Sequence, residues 1–354
     1  MLTEQNTIKF SVSTTLEYAC SLYILANGRN CLSLSKEIGV TPDQILINMG
    51  EVGSKVFTRH MQNELAFFME QDTYSLSGTN PLNALPFLAA LENPAIEGIA
   101  ELIKHLESSD EQYLPFLITK SAIGTKCSKE YVPELLENYI SHLSPEEENL
   151  REKLRECLKN PLEMQARFCL LLRQFYENVY KPFEADINNT IEAKVAYYEQ
   201  QFDTDPAAFA NDYFRINLSN CEKKPAVYLS LFMQVGSLLF RSKDGSDVII
   251  LGIHSDKRFG REVMKNRLVS FYKLLSDEKR FQLLELISDS PKYVNELAEL
   301  LDLAPSTVSH HLGYFIRSGI VLAARDEHRL YYSLDHKKVR ELFEKSIKLF
   351  IKEL

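Results

Sequence analysis

Apolar residues recur at helical spacing through most of the chain, and the pattern is sharpest near the C-terminus. Phe281, Leu284 and Ile287 mark a helix that Asp289-Ser290-Pro291 closes, with Ser276 as its expected cap and Asp277-Glu278 in its first turn. Val294, Leu297, Ala298 and Leu301 repeat at i, i+3, i+4, i+7 and mark a second helix. The short connection Asp302-Leu303-Ala304 then leads to Pro305, which suits the first turn of a third. On that third helix, expected over 305–317, Val308, Leu312, Phe315 and Ile316 share one face, while Ser306, His310, Gly313 and Arg317 lie opposite. Two packed helices joined by so short a link have the spacing of a helix-turn-helix.

Alternation replaces helical spacing after Ser318-Gly319. Residues 320–324 and 330–334 are β-prone and predict a hairpin over 320–334, whose tip carries Arg325, His328 and Arg329. A final helix is expected over 336–354. Its Val339, Leu342, Phe343, Ile347 and Phe350 form an apolar face wider than so small a domain needs, and a second copy of the chain is the simplest cover for it.

The longer N-terminal part predicts helices with one small β element. Leu16, Ala19, Cys20, Tyr23 and Ile24 share a face; Pro145 with Glu146-Glu147-Glu148 opens a helix; Asn160-Pro161 ends one and starts the next. That next helix carries Met164, Phe168, Leu172, Phe175 and Val179 inward and meets Pro182, where a kink or short break is expected. Residues 238–241 and 248–252 flank Asp244-Gly245 and predict a hairpin near 238–252. The fold class is therefore mainly α: a helical domain with a small hairpin over 1–260, then a winged helix-turn-helix over 261–354.

The side chains on the outer face of the third helix are small hydroxyls, an imidazole and a guanidinium, groups that hydrogen-bond base edges and phosphates. Double-stranded DNA is the expected partner, with Ser306, Thr307, Ser309, His310, Tyr314 and Arg317 meeting it from the helix and Arg325, His328 and Arg329 from the wing. Net charge sharpens this expectation. The chain as a whole is at −9, yet residues 261–354 hold 16 Lys/Arg against 14 Asp/Glu, leaving 24 against 35 for residues 1–260. Phosphate repels the acidic part, so contact with DNA falls to local basic positions in the C-terminal part.

Residues 268–335 resemble the winged-helix domain of the ArsR/SmtB-type family of bacterial transcription regulators. The likeness rests on Leu275-Ser276-Asp277-Glu278-Lys279-Arg280, Glu296-Leu297-Ala298, Thr307-Val308-Ser309-His310-His311-Leu312 and Tyr331-Tyr332-Ser333-Leu334, in that order. It implies a homodimer built on the first and last helices of the domain, binding an inverted-repeat operator and repressing until an effector releases it. Metal sensors of that family resemble one another in a Cys-x-Cys on the first helix of the motif; here the stretch is Leu297-Ala298-Glu299-Leu300, and residues 261–354 contain no cysteine. The family's other metal site would use the last helix, where Leu349 and Lys352 replace ligands. No metal and no cofactor is expected.

For residues 1–260 three readings stay open: effector sensing, a ligand-free assembly or protein-docking module, and catalysis. Phe168, Phe175, Tyr176 and Tyr180 could line a pocket for an unknown small-molecule effector, although aromatics at helical spacing serve more often as core. Catalysis has least support, because no phosphate-cradling glycine loop, Gly-x-Ser-x-Gly turn or His-Glu-x-x-His is present. The start lacks a secretory signal, no stretch reaches membrane-spanning length, and six cysteines show no paired spacing. A cytoplasmic protein without a membrane partner is expected.

Overall fold

A computed structural model describes residues 8–37, 39–70, 80–124, 132–143, 145–214, 223–241, 247–259, 261–326 and 329–350. Two compact units divide the chain, Met1–Phe259 and Gly260–Leu354.

The first unit is helical: α1 (Thr14–Glu37), α2 (Gln44–Val56), α3 (Arg59–Met69), α4 (Leu85–Glu92), α5 (Ile99–Ser108), α6 (Tyr113–Ile123), α7 (Pro133–Ser141), α8 (Glu148–Lys159), α9 (Pro161–Phe175), α10 (Glu184–Thr204), α11 (Pro206–Phe209) and α12 (Asp256–Phe259). Asn160-Pro161 separates α8 from α9 as its composition requires. At Pro182 the chain does not bend into a loop: a π-turn over Tyr176–Tyr180 and a single 3-10 turn over Lys181–Phe183 carry the helical path into α10. A proline removes one N–H, and this change of winding accommodates the loss.

The β element is larger than the expected hairpin. Strands β1 (Phe10–Ser11), β2 (Ala226–Ser230), β3 (Ser237–Arg241) and β4 (Asp247–Gly252) form one sheet in the order β1-β2-β4-β3. The hairpin is β3 with β4, antiparallel, pairing Leu239 with Ile249; β2 pairs parallel to both β1 and β4. β2 is a run of four apolar residues before Ser230, too short and too uniformly apolar for an alternation of apolar with polar residues to mark it as a strand. At the end of β4, a Cβ on Gly252 would lie 2.2 Å from the Gln234 carbonyl oxygen, so only glycine admits this close approach.

Glu17 ties the helices to this sheet. Its Oε1 accepts from the backbone N–H groups of Leu231 at 2.8 Å and Phe232 at 3.2 Å, just beyond β2. Burial pushes this carboxyl up from 4.5 to about 7, against the opposing hydrogen bonds from Ser230 and those two amides.

The second unit contains α13 (Arg261–Leu275), α14 (Glu278–Asp289), α15 (Val294–Leu301), α16 (Pro305–Ser318) and α17 (His336–Phe350), with a three-stranded sheet of β5 (Lys292–Tyr293), β6 (Val321–Asp326) and β7 (Arg329–Leu334) in the order β5-β7-β6. This is a winged helix-turn-helix. Its core gathers Leu268 and Phe271 from α13, Leu283, Leu284 and Ile287 from α14, Leu297 and Leu301 from α15, and Val308, Leu312 and Phe315 from α16. Two expectations need correction. Asp277, not Ser276, caps α14, accepting from Arg280 N at 2.9 Å, while Ser276 Oγ turns back to the Lys273 carbonyl. Phe281 is 54% exposed, because the inward face of α14 runs through Leu283, Leu284 and Ile287. The short strand β5 escaped the sequence pattern because two residues cannot show a period.

Candidate nucleic-acid interface

Three features place α16. Leu303 and Asp302 form the turn, with Asp302 in the left-handed region at φ 51° and Leu303 N donating to the Ala298 carbonyl. Pro305 starts the helix without losing a hydrogen bond, since first-turn N–H groups have no partner within the helix. Gly319 ends it at φ 72°, a conformation open to glycine at no steric cost. Val308, Leu312 and Phe315 are essentially fully buried, so the roll of the helix about its axis is set by three anchors.

Given that roll, Ser306, Ser309 and His310 are exposed and Thr307 is half-buried. Ile316 does not join the inward face but is 43% exposed. At 100° per residue it lies about 80° round the helix from Val308, outside the packed stripe.

His310 and Tyr314 touch edge to face with ring centroids 4.7 Å apart, and the Arg280 guanidinium of α14 lies 4.7 Å from the Tyr314 ring centre. Arg280 Nε also donates to His311 Nδ1 at 3.2 Å. Burial, then the Arg280 charge, push the His311 imidazole below the usual histidine range. Arg280 and His311 were absent from the sequence-derived set. An arginine in the first turn of one helix looks like a surface residue until tertiary structure brings the other helix against it. The outer face of α16 is thus held from two directions: core anchors below, and at its side a cation braced on the Tyr314 ring and the His311 imidazole.

The wing strands pair in register from Val321 with Leu334 to Asp326 with Arg329. The side chains of Arg317, Arg325, Arg329 and Phe350, and residue His328, lie outside what is described.

On α17, Leu342 is buried against the domain's own core and Val339 packs beside it. Phe343 and Ile347 are 42% and 56% exposed, and on α13 Val269 and Tyr272 are also exposed. Phe343 meets Phe271 of α13 edge to face at 5.2 Å, so α13 and α17 lie side by side with apolar residues facing outward from both.

The four aromatic residues expected as an effector pocket lie in the first unit, and three of them are core. Phe168, Phe175 and Tyr180 are fully buried; Phe168 packs on Phe68 at 5.1 Å and Tyr180 on Tyr18 at 5.3 Å. Tyr176 is partly buried, its hydroxyl donating to Glu184 at 3.1 Å. Neighbouring rings fill the space between them.

Residues 277–321 match the family model described as bacterial regulatory protein, arsR family. Over 86 residues the chain is 30% identical to the transcriptional activator HlyU of Vibrio cholerae serotype O1, spanning 24% of this chain and 80% of that protein. It is 32% identical over 75 residues to the cadmium resistance transcriptional regulatory protein CadC of Listeria innocua, spanning 21% of this chain and 63% of that protein. Among solved structures, HlyU from Vibrio cholerae N16961 aligns at 28% identity and a TM-score of 0.21, covering 24% of this chain and 94% of that one. The likenesses to these proteins and to the solved structure each take in between 21% and 24% of the chain.

Proposed function

The chain belongs, through its last quarter, to the arsR family of bacterial regulatory proteins, and from that premise we propose that it is a homodimeric transcription regulator that binds an inverted-repeat operator. The exposed stripe Ser306, Ser309 and His310, on a helix whose roll is set by Val308, Leu312 and Phe315, carries this proposal. Such a stripe offers hydrogen-bonding groups to base edges in a major groove about 12 Å wide, the width that admits one helix. Thr307, Tyr314 and Arg317 complete the helix contacts, and Arg325, His328 and Arg329 meet the backbone from the wing.

Exposed Val269, Tyr272, Phe343 and Ile347, drawn from two adjacent helices, support the dimer: an apolar strip on a two-fold axis covers itself. Two recognition helices then sit about one turn of DNA apart, so half-sites centred roughly 10 base pairs apart, or at a multiple of that, are expected. We assign the repressing sign, because occupancy of promoter DNA alone blocks a polymerase, whereas activation requires a further contact.

Residues 1–259 act as a sensing or assembly module. Catalysis there finds no support in the thiols described: burial pushes Cys157 and Cys169 up to about 12 and Cys20 well above its ordinary value, which leaves them un-ionised and poor nucleophiles. No helix among the described residues is long and apolar enough to cross a membrane. A regulator of this kind works in the bacterial cytoplasm, beside the DNA.

Recovery of bound genomic fragments with the full chain, followed by footprinting of the most enriched one, tests the proposal. A two-fold symmetric protected site is expected; enrichment no better than random DNA overturns it.

A further inference from the structure

We infer that the cleft between α1, α2 and α3 binds a compact organic cation: a primary amine on an aromatic or branched alkyl body. The inference rests on residues 1–259 being a sensing module and names the site and ligand class of that sensing.

The cleft is half-open, with a volume of about 270 Å³, and its lining includes Leu25, Gly50, Phe57, Gln62, Leu65 and Glu70. Its volume falls just below the roughly 300–1,000 Å³ of pockets that take drug-sized molecules, so it suits a ligand of one or two rings. Small residues create the space. Gly50 of α2 brings no side chain to the cleft, and a Cβ placed there would meet only Leu25 Cδ2, at 4.0 Å. Close packing is the rule in helical cores, and lining residues as small as Ala26, Gly50 and Ala66 leave room unfilled between α1, α2 and α3.

The lining chemistry selects the ligand. Leu25, Phe57 and Leu65 offer apolar surface to its body. Among the described lining residues Glu70, exposed at the C-terminal cap of α3, is the one that carries a charge, and Gln62 lies on the same helix. The surroundings add to this preference: residues 1–260 carry 35 acidic against 24 basic side chains, a field that gathers cations.

The cleft is also connected to an irregular part of the unit. Phe57, in its wall, packs on Phe175 with ring centroids 6.2 Å apart, and Phe175 is the residue before the π-turn at Tyr176–Tyr180. A Cβ on Gly53 would lie 4.0 Å from Val179 Cγ1 within that turn. π-Turns occur mostly as single interruptions of α-helices, frequently at functional sites, and an occupant pressing on Phe57 bears on this one through the Phe175 ring.

Isothermal titration of the full chain with tryptamine, and separately with its neutral analogue indole-3-ethanol, tests the assignment. Tryptamine is expected to bind once per chain with a Kd on the order of 0.1–1 mM, as ligand-efficiency limits allow for so small a molecule. Gly50→Leu fills the cleft while replacing a helix-interior glycine with a better helix former, so the variant is expected to melt no lower than the parent and to lose at least about tenfold in affinity. Glu70→Gln is expected to weaken tryptamine roughly three- to fivefold, the size of a partly exposed ion pair, and to leave the alcohol unchanged. No binding by the parent at about 5 mM, well above that expected Kd, or undiminished binding by a folded Gly50→Leu, overturns the site. Equal affinity for amine and alcohol overturns the cation assignment. Operator binding is measured on the same samples: its persistence when tryptamine fails to bind limits the failure to the cleft, and its absence in the parent faults the DNA reading instead.

Discussion

Arg280 Nε donates to His311 Nδ1 at 3.2 Å, joining the first turn of α14 to the middle of α16. An imidazole that accepts through Nδ1 carries its proton on Nε2 and is neutral. Protonation removes the acceptor and places a second cation beside Arg280. The native histidine value is lowered from 6.5, by burial first and Arg280 second. The unfolded chain therefore binds this proton more readily than the native one, and stability present above about 6.5 declines as pH falls toward the lower native value. The melting temperature of the second unit is expected to drop as pH falls below about 6.5. In His311→Gln, whose amide oxygen can still accept from Arg280, the decline should flatten; an equally steep decline removes His311 as its source.

Exposed Ser309 and His310 sit in the first turns of α16, where base edges are met. Replacing both by alanine should cost roughly 1 to 3 kcal/mol per lost base contact, with operator binding falling more than binding to random DNA. Competition anisotropy measures both. Parallel losses on the two DNAs mean that these side chains meet phosphate alone.

From the wing, Arg325→Ala with Arg329→Ala should weaken binding to every sequence and reduce the slope of log affinity against log salt by up to about 2. A slope that does not change places the wing away from the duplex.

For the dimer, Phe343→Asp with Ile347→Asp puts two carboxylates on the exposed apolar strip of α13 and α17. Burying them against a second subunit costs several kcal/mol, so the double variant should be monomeric and lose operator binding. Light scattering decides: a parent that is already monomeric at micromolar concentration, yet protects a symmetric site, would falsify pre-formed dimerisation and require pairing on DNA.

In the first unit, Glu17 is held protonated in a range where a free carboxyl ionises. With its native value raised from 4.5 to about 7, the unfolded state loses its proton first, and stability falls as pH rises from about 4.5 to about 7 before levelling. That shift corresponds to roughly 3 kcal/mol. Glu17→Gln keeps an oxygen for the Leu231 and Phe232 amides and cannot ionise. Its unfolding free energy should lack this loss, and urea titrations at several pH values that give parent and variant the same profile rule out Glu17 as the cause.

The helix-turn-helix was legible because its determinants are local. Val294, Leu297, Ala298 and Leu301 carry their period in one short segment, Pro305 and Gly319 mark the ends of α16 by backbone chemistry alone, and the alternation in 320–334 matches β6 and β7 closely. Sequence also separated polar from packed positions on α16 well enough to name Ser306, Ser309 and His310. Tertiary structure decided which neighbours those residues have. Ile316 and Phe281 are apolar residues at helical spacing, yet each falls just outside the stripe its partner helices cover, and only the packing angle distinguishes covered from exposed. The rings Phe168, Phe175 and Tyr180 could have walled a pocket or filled a core, and contact with Phe68, Phe57 and Tyr18 filled it. Strand β2, the Arg280–His311 bond and the cleft beside Gly50 all depend on segments far apart in the chain meeting in space, and a local period carries no record of such meetings.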